Sequence, residues 1–325
     1  MNIESTIPRV TVVIVNYNRC DDLREALFSI KAQDYPHREI VVVDNASQDG
    51  SRRMLAKEFP EVRMLALSEN IGMDGYSLGF RQARGEIIFQ MDNDSLMPGP
   101  QVLQQVVRRF QEGPPHLAAV ATRVEEYRRG PEEIEELRQR DPRIGPINTG
   151  GFHAGGVGFR SSFLKEVDYY NRDVFLYGSE LFLQMKFLAA GYQVFYYPEI
   201  FMLHKSSGLA RDSLGVYYEV RNRYWFMRHF ATPGQKMRFV PAMVLHDAVY
   251  TGSKKALKIF CRSLRDGWGP LPPSLTTPLR SGRPDFVNKV NEVGRECGIS
   301  SLWRRIQKRS PFKSATTSLG SSPDE

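Results

Sequence analysis

Short apolar runs alternate with helical patterns through the first part of the chain. The runs, which are typical of buried strands, are Val10–Val15, Glu39–Val43, Val62–Ala66 and Glu86–Met91, and helical spacing of apolar residues fills the intervals at Asp21–Ala32, Ser51–Glu58 and Tyr76–Arg84. This order predicts an α/β fold with a mostly parallel sheet and helices on both of its faces. Ligands of such sheets bind beyond the carboxyl ends of the strands, so the polar residues that follow each run are candidate site residues.

Helical signals dominate the rest of the chain. We expect helices at Gln101–Phe110, Ser179–Ala190, Tyr217–Phe230, Phe239–Leu264 and Phe286–Lys308, a strand at Val194–Tyr197 and a charged insertion at Glu125–Arg140. Ser179 is the expected cap of its helix, and Gly191 its end. The predicted organisation is an α/β domain over residues 1–230, a basic helical extension over 231–309 and a disordered tail over 310–325.

The net charge of +7 is unevenly distributed. From Ala231 to Glu325 there are 16 Lys and Arg against 7 Asp and Glu, which leaves 28 against 30 for the first 230 residues. The first part is therefore not built as a general polyanion-binding surface, and nucleic acid is not expected as its partner.

The basic end of the chain has three open interpretations. A solvated helix face comes first, peripheral contact with an anionic membrane surface second, and contact with an acidic partner or a nucleic-acid backbone third. The residues concerned are Arg304, Arg305, Lys308, Arg309 and Lys313.

Apolar segments and cysteines indicate the compartment. The strongly apolar runs are far shorter than the roughly 20 residues that cross a bilayer, and Met1–Pro8 lacks the pattern of a signal peptide. Cys20, Cys261 and Cys297 are odd in number and far apart, which favours a reducing compartment. We therefore expect a cytoplasmic protein, with the inner face of the membrane as a second location.

Two carboxylates follow the fourth apolar run. Asp92 and Asp94 are separated by Asn93 at the predicted end of a strand, where their oxygens can bind a hard divalent cation and, through it, a diphosphate. The alternative is a solvated turn, because Asp and Asn are common turn residues.

A series of further segments occurs in the order and near the spacing of one enzyme family. They are Val12–Arg19, Ser29–Gln33, Glu39–Gly50, Glu69–Gly72, Ala83–Glu86, Met91–Asp94, Phe175–Gly178, Ala190–Tyr192, Pro198–Glu199 and His204–Lys205. Together they resemble the family 2 glycosyltransferases, from about Val10 to His229. The resemblance implies a GT-A fold, in which a Rossmann-like, mostly parallel sheet flanked by helices binds a nucleotide-diphosphate sugar, here with a C-terminal helical extension.

The resemblance also implies roles in donor binding. Tyr17 would stack on or edge the nucleobase, Asp44 would accept a hydrogen bond from a base N–H, and Asn70 would line the nucleotide pocket. Each also has a structural interpretation, as a packing residue, a cap and a turn former respectively. The loop Met73–Leu78 departs from the family, which usually has a second Asn there.

A divalent cation, Mn²⁺ or Mg²⁺, is implied at the two aspartates. Asp92 and Asp94 would bind it, and His204 would be either a third ligand or a contact to the diphosphate. A lone histidine after apolar residues can also be a core or surface residue. The segment from Lys205 to Gly208 is a candidate lid over the donor.

Glu180 is the candidate catalytic base. The family commonly has Glu-Asp at this point and another Asp two residues later, whereas this chain has Ser179-Glu180 and then Phe182. A carboxylate there would take the proton of the attacking hydroxyl; alternatively, Glu180 only stabilises the start of its helix.

The implied reaction is inverting transfer of a hexose or deoxyhexose from the donor to an acceptor hydroxyl. The acceptor would be a glycan, a lipid-linked glycan or a small molecule, held on the side of Gly155 and Gly156, near Phe152 and His153. The changed motif at Glu180 leaves an alternative, a catalytically impaired sugar-nucleotide-binding or scaffolding protein. The sequence names neither the sugar nor the acceptor.

Overall fold

The four strands of the predicted alternation form one half of a nine-stranded sheet in the described part of the chain. The computed structural model describes residues 7–127, 136, 147–148, 151–205, 213–252 and 257–296. The strands are β1 (Val10–Asn16), β2 (Arg38–Asp44), β3 (Arg63–Ala66), β4 (Ile87–Asp92), β5 (Ser95–Leu96), β6 (Leu117–Tyr127), β7 (Ile147–Asn148), β8 (Val157–Arg160) and β9 (Gln193–Lys205). They lie in the order β3-β2-β1-β4-β8-β6-β9-β5, with β7 on β9. The α/β fold expected from the sequence is confirmed.

Parallel register brings the ends of the first strands together. Strands β3, β2, β1 and β4 run parallel, and Asn16 of β1 lies opposite Asp44 of β2, while Val15 lies opposite Asp92 of β4. Helices α1 (Cys20–Lys31), α2 (Ser51–Glu58) and α3 (Asp74–Gln82) connect these strands. The polar residues at the strand ends therefore meet along one edge of the sheet, as the alternation predicts.

The second half of the sheet was largely missed by the sequence analysis. Strand β8 pairs antiparallel with β4 and β6, and β9 pairs parallel with β6 and antiparallel with β5. The expected insertion at Glu125–Arg140 is wrong at its start, because β6 continues to Tyr127; the part within 128–135 and 137–140 lies outside the described residues. Likewise, the strand expected at Val194–Tyr197 runs on to Lys205 because β6 pairs with it along its length.

Helices cover both faces of the sheet and form a further layer at the end of the chain. They are α4 (Val102–Glu112), α5 (Ser161–Glu166), α6 (Ser179–Ala190), α7 (Ser213–Phe230), α8 (Pro233–Gly252), α9 (Leu257–Trp268) and α10 (Pro284–Glu296). The single helix expected over Phe239–Leu264 is instead two helices, α8 and α9. The part of the last expected helix beyond Glu296 and the predicted tail 310–325 lie outside the described residues.

Helix α6 belongs to two apolar cores at once. Leu183 and Phe187 pack towards the sheet with residues of β1, β2 and β4, whereas Phe182 and Met185 pack with α7, α8 and α10. The sheet and the C-terminal helices are thus joined through one helix. Among the described residues no helix is both long and apolar enough to cross a membrane.

Candidate active site

The side chain of Asn16 connects the ends of β2, β1 and β4. Asn16 is fully buried. Its Nδ2 donates to Asp44 Oδ2 at 3.4 Å and to Ser47 Oγ at 3.2 Å, and its Oδ1 accepts a 2.9 Å bond from Asn93 Nδ2. Because both functions of this amide are used, the loops after the three strands are held in one arrangement. The sequence analysis quoted Asn16 and Asn93 only as members of motifs.

Asp44 already has several protein partners. It is fully buried, and its Oδ1 accepts from Arg52 Nε at 2.6 Å and from the Ser47 amide at 3.0 Å. Its Oδ2 accepts from Asn16 Nδ2 at the longer distance of 3.4 Å, and the nucleobase role of Asp44 stays a prediction. Arg52, in the first turn of α2, was not found from the sequence, since a single arginine in a helix carries no pattern.

Tyr17 and Asn70 differ in how open they are to a ligand. Tyr17 follows β1 and is 48% exposed, so its ring is free to contact a base. Asn70 is half-buried, and its Oδ1 accepts from the Gly72 amide at 2.9 Å, which is the turn-forming contact. The nucleotide roles of both residues stay predictions.

The loop Met73–Leu78, which departs from the family pattern, is hydrogen-bonded to the segment that precedes Glu180. The Met73 amide donates to Phe175 O at 2.9 Å. Gly72 has a φ of +62°, and a Cβ on it would lie 2.2 Å from the same oxygen. Position 72 therefore needs a glycine. Helix α3 begins two residues later, at Asp74.

Asp92, Asp94 and His204 form a cluster suited to a cation. One ligand atom from each lies within 4.8 Å of the others. His204 Nε2 is 3.2 Å from Asp94 Oδ1 and 3.8 Å from Asp92 Oδ2. The short strand β5 produces this arrangement, because its Ser95 pairs with His204 of β9. Two carboxylates and an imidazole suit Mn²⁺, and with added water or phosphate oxygens also Mg²⁺.

The charges in this cluster balance each other. Burial, together with repulsion from Asp94, raises the pKa of Asp92, against the opposing charges of His153 and His204; Tyr76 Oη also donates to its Oδ1 at 2.9 Å. Burial disfavours ionised Asp94 too, but the His204 hydrogen bond and the charges of His204 and Arg19 outweigh it and lower its pKa. The Asp94 hydrogen bond raises the pKa of His204. Arg19 contacts Asp94 directly and places a cation beside the site.

Glu180 lies in the first turn of α6, near the cluster. The expected cap was wrong: the cap is Gly178, whose φ of +81° only glycine adopts readily, while Ser179 is the first helical residue and its Oγ donates to Val174 O at 2.8 Å. Among the described residues no side chain pairs with the half-buried Glu180 carboxylate.

The pKa of Glu180 is raised, chiefly by burial. The charge of Asp92 adds to this rise, and the backbone amide of Glu180 and the charge of His153 oppose it. Tyr170, whose Oη donates to Gln90 Oε1 at 2.8 Å, is buried beside Glu180; burial and then the Glu180 charge raise its pKa well above the ordinary value. A carboxylate with these neighbours accepts a proton more readily than an exposed glutamate.

Gly155 and Gly156 are buried and contact protein. A Cβ on Gly156 would lie 2.4 Å from Met202 Cγ and 2.6 Å from Thr122 Oγ1, so the backbone approaches β6 and β9 closely there. The Gly155 amide donates to His153 Nδ1 at 3.0 Å, and the His153 ring meets the His204 ring edge to face with centroids 5.7 Å apart. Their acceptor role stays a prediction, and His153 is the exposed side chain of this loop.

Comparison with known proteins points to glycosyltransferases. Residues 11–168 match the model of glycosyl transferase family 2. An uncharacterized glycosyltransferase, alr2836, of Nostoc is 35% identical over 107 residues, which is 32% of this chain and 33% of that protein. The succinoglycan biosynthesis protein ExoO of Rhizobium meliloti is 35% identical over 105 residues, 32% of this chain and 30% of that protein. The matched part thus spans about a third of each relative's length.

A solved structure shows the same fold. The mannosyltransferase PcManGT of Pyrobaculum calidifontis, in complex with GDP-Man and Mn²⁺, superposes with a TM-score of 0.54 at 22% identity, over 93% of this chain and 84% of its own. The sheet with its flanking helices is therefore a GT-A fold. Through residues 11–168, the chain is similar to glycosyl transferase family 2.

Proposed function

We propose that this protein is an inverting, metal-dependent glycosyltransferase that moves a hexose or deoxyhexose from a nucleotide-diphosphate donor to an acceptor hydroxyl. The observation that carries the proposal is the cluster of Asp92, Asp94 and His204 beside Glu180, whose carboxylate no described side chain pairs with. The complex of PcManGT with GDP-Man and Mn²⁺ supports the same class of donor and cofactor.

The donor would lie along the polar edge of the sheet. The exposed ring of Tyr17 offers a surface for the base, and Asp44 Oδ2 offers an acceptor for a base N–H. Asp92, Asp94 and His204 would hold Mn²⁺ or Mg²⁺, which neutralises the charge that develops on a departing diphosphate. Arg19, which contacts Asp94, adds positive charge at the same place.

Glu180 would act as the general base. Its carboxylate takes the proton of the acceptor hydroxyl as that oxygen attacks the anomeric carbon on the face opposite the diphosphate, and the configuration there inverts. The raised pKa of Glu180 makes it a better proton acceptor than an ordinary carboxylate. The exposed His153, beside Gly155 and Gly156, would face the acceptor.

Donor binding can be tested by thermal shift. UDP, GDP and dTDP and their sugars are each tested with and without MnCl₂, and a ligand of the native state raises the melting temperature. We expect a rise that needs both Mn²⁺ and a diphosphate and that Asp94→Asn abolishes. A rise of equal size in Asp94→Asn would remove the cluster from donor binding.

The base is tested on the donor found in this way. Hydrolysis of that nucleotide sugar is compared for wild type and Glu180→Gln, and we expect a loss of about 10²–10⁴-fold in kcat. The thermal shift with the nucleotide diphosphate should be unchanged in the variant. Full hydrolysis by Glu180→Gln would exclude it as the base.

The alternative, a protein that binds sugar nucleotides without turnover, was motivated by the changed motif around Glu180. Phe182 is 1% exposed and packs against Phe226 and Phe230, so the missing second Asp reflects the core that this helix shares with α7. This favours the enzyme. Donor binding without any hydrolysis in the wild type would favour the alternative.

The location proposed for the protein is the cytoplasm, with peripheral contact at the inner membrane face. The contact would use Arg304, Arg305, Lys308, Arg309 and Lys313, which lie outside the described residues. Its test is sedimentation with vesicles that contain anionic lipid, compared with neutral vesicles.

A further inference from the structure

One asparagine of α7 holds the turn that leads to Glu180. Asn222 is 3% exposed, and its Nδ2 donates to Leu176 O and to Tyr177 O, both at 2.7 Å. These carbonyls come directly before Gly178 and the helix that carries Glu180. A single buried amide group therefore joins the C-terminal helices to the candidate base.

The turn needs such support because of its backbone conformation. Tyr177 has a φ of +57° and Gly178 a φ of +81°, so two consecutive residues are left-handed. For a tyrosine this conformation is unfavourable, and it persists only where surrounding contacts fix it. The two bonds from Asn222 satisfy the carbonyls of the peptide groups before and after Tyr177 and fix the direction in which α6 begins.

Arg221 determines the orientation of the Asn222 amide. Its Nε and Nη2 both donate to Asn222 Oδ1, at 3.0 and 2.7 Å. Its guanidinium stacks 3.8 Å from the centroid of Trp225 and 4.8 Å from that of Tyr218. Since the amide oxygen is held by Arg221, the amide nitrogen must face the two carbonyls.

The same segment is anchored from the sheet side. Phe175 stacks on Tyr218 with ring centroids 5.3 Å apart, and its carbonyl accepts from Met73 of the loop before α3. The turn is thus held between the donor-side loop and α7, and Asn222 supplies two bonds to the residues directly before Gly178.

From these contacts we infer that Asn222 is a positioning residue for the Glu180 base. The inference rests on the proposed function. Without the two bonds the Tyr177–Gly178 turn relaxes and the Glu180 carboxylate moves from its place opposite the cation cluster. Donor binding is expected to persist, because Asp92, Asp94 and His204 are placed by the sheet.

Three variants test the inference. Asn222→Ala removes the amide; Asn222→Asp keeps an oxygen for Arg221 but has no N–H for the carbonyls. Ser263→Ala is the matched control, because Ser263 is fully buried in α9 and its Oγ lies 2.8 Å from Ile259 O and 3.3 Å from Tyr217 O of α7, away from the turn. Hydrolysis of the nucleotide sugar that gives the largest thermal shift is measured with MnCl₂, and hydrogen exchange of amides 176–181 is followed without ligand.

We expect kcat to fall on the order of 10²-fold in Asn222→Ala and Asn222→Asp, since misplacement of a reacting group by about 1 Å has that effect. KM for the donor should stay within about twofold, as for a residue that acts only on the chemical step. Exchange at 176–181 should rise in both variants. Ser263→Ala should keep the wild-type kcat and the wild-type exchange at the turn.

The outcomes separate this inference from the proposed function. Wild-type kcat in Asn222→Ala, or in Asn222→Asp, would overturn the positioning role, and so would unchanged exchange at 176–181. Absence of donor hydrolysis by the wild-type protein would count against the proposed function instead. The exchange measurement needs no substrate and would still decide whether Asn222 holds the turn.

Discussion

The pKa of Glu180 depends on its burial and on the charged and polar groups around it. Burial and the charge of Asp92 raise its pKa, while its own backbone amide and the charge of His153 oppose the rise. His153 is exposed, so replacing it should leave the fold intact. The proposed base must be ionised to accept a proton, and donor turnover should therefore fall as the pH drops through this raised pKa.

We predict that the pH profile of kcat/KM for donor hydrolysis has an acidic limb. This limb should lie above the ordinary glutamate pKa of about 4.3. In His153→Gln the limb should move to still higher pH, because a positive charge that favours ionised Glu180 is lost. His116→Gln, at an exposed histidine that precedes β6, is the control and should leave the limb in place. A limb that moves to lower pH in His153→Gln would contradict this account.

Lys186 is a second group whose protonation is linked to burial. It lies in α6, and its Nζ donates to Asp168 O at 3.1 Å and Tyr169 O at 2.9 Å. Burial lowers its pKa to about 8, with the charge of Asp168 opposing and that of Arg81 adding to the effect. The neutral amine keeps two N–H groups, so both hydrogen bonds survive deprotonation.

The direction in which pH changes the stability depends on how many protons Lys186 binds in the folded and in the unfolded chain. Between pH 8 and the unfolded value of about 10.4 the unfolded chain binds more protons at Lys186, so stability rises with pH in this window. Relative to Lys186→Met, the wild type should gain about 2 kcal/mol in free energy of unfolding between pH 7.5 and 9.5. Urea unfolding at both pH values measures it, and a constant difference between the two proteins would refute the linkage.

Single residues with a motif were predictable, and single residues without one were not. Asp92, Asp94 and His204 are brought together as the sequence indicated, since the first two lie at the end of β4 and the third lies near the end of β9. Arg52, which holds Asp44, and Asn222, which holds the turn before Glu180, carry no local pattern. Their partners lie in other elements, and only the fold defines them.

Among the elements, α6 explains why residue 182 departs from the pattern of family 2 glycosyltransferases. Phe182 replaces an acidic residue, and its ring packs 5.2 Å from that of Phe230 and 5.9 Å from that of Phe226. An acid at this position would be buried among the rings of Phe226, Phe230 and His229 of α7, and burial lowers the pKa of that histidine. The apolar side chain is therefore required by the helix pairing.

We predict that Phe182→Asp loses several kcal/mol of stability, since an unpaired carboxylate would be buried. Phe182→Leu keeps an apolar side chain and should lose only about 1–2 kcal/mol through its smaller volume. Denaturant unfolding of the two variants makes the comparison. If Phe182→Asp were as stable as Phe182→Leu and hydrolysed the donor faster than wild type, residue 182 would face the reaction instead of the core.

Elements with distant partners were the ones that the sequence did not predict. Strand β6 pairs with β9, which lies more than sixty residues later in the chain, and its charged end resembles a loop when read alone. Strand β8 falls in a glycine-rich segment, where a Cβ on Gly158 would lie 2.6 Å from Val106 Cγ1 of α4. The glycine is set by close packing on a helix, which no local pattern shows.

On the scale of the whole molecule, the C-terminal helices share a core with the α/β part. One apolar cluster contains residues of α6, of α7 and of the chain beyond residue 230. From α6 and the segment before it come Val174, Phe182, Met185 and Leu188, and from beyond residue 230 come Phe239, Met243, Phe260, Leu275, Phe286, Val290 and Val293. The predicted boundary at 230 therefore passes through a shared apolar cluster. A truncation can decide whether residues 1–230 fold without the helices that follow them.

We expect a chain that ends at residue 230 to lose the cooperative melting transition of the full chain. The cut would expose the apolar faces of α6 and α7 and remove the rings that cover them, and such a patch favours aggregation. A chain that ends at residue 309, at the other predicted boundary, keeps every side chain of this core and should melt at the temperature of the full chain. Calorimetry and size-exclusion chromatography compare the three proteins. If the shorter chain melted cooperatively as a monomer at the same temperature, the helices would be a separate domain, and their contact with the turn before Glu180 could not govern how that base is held.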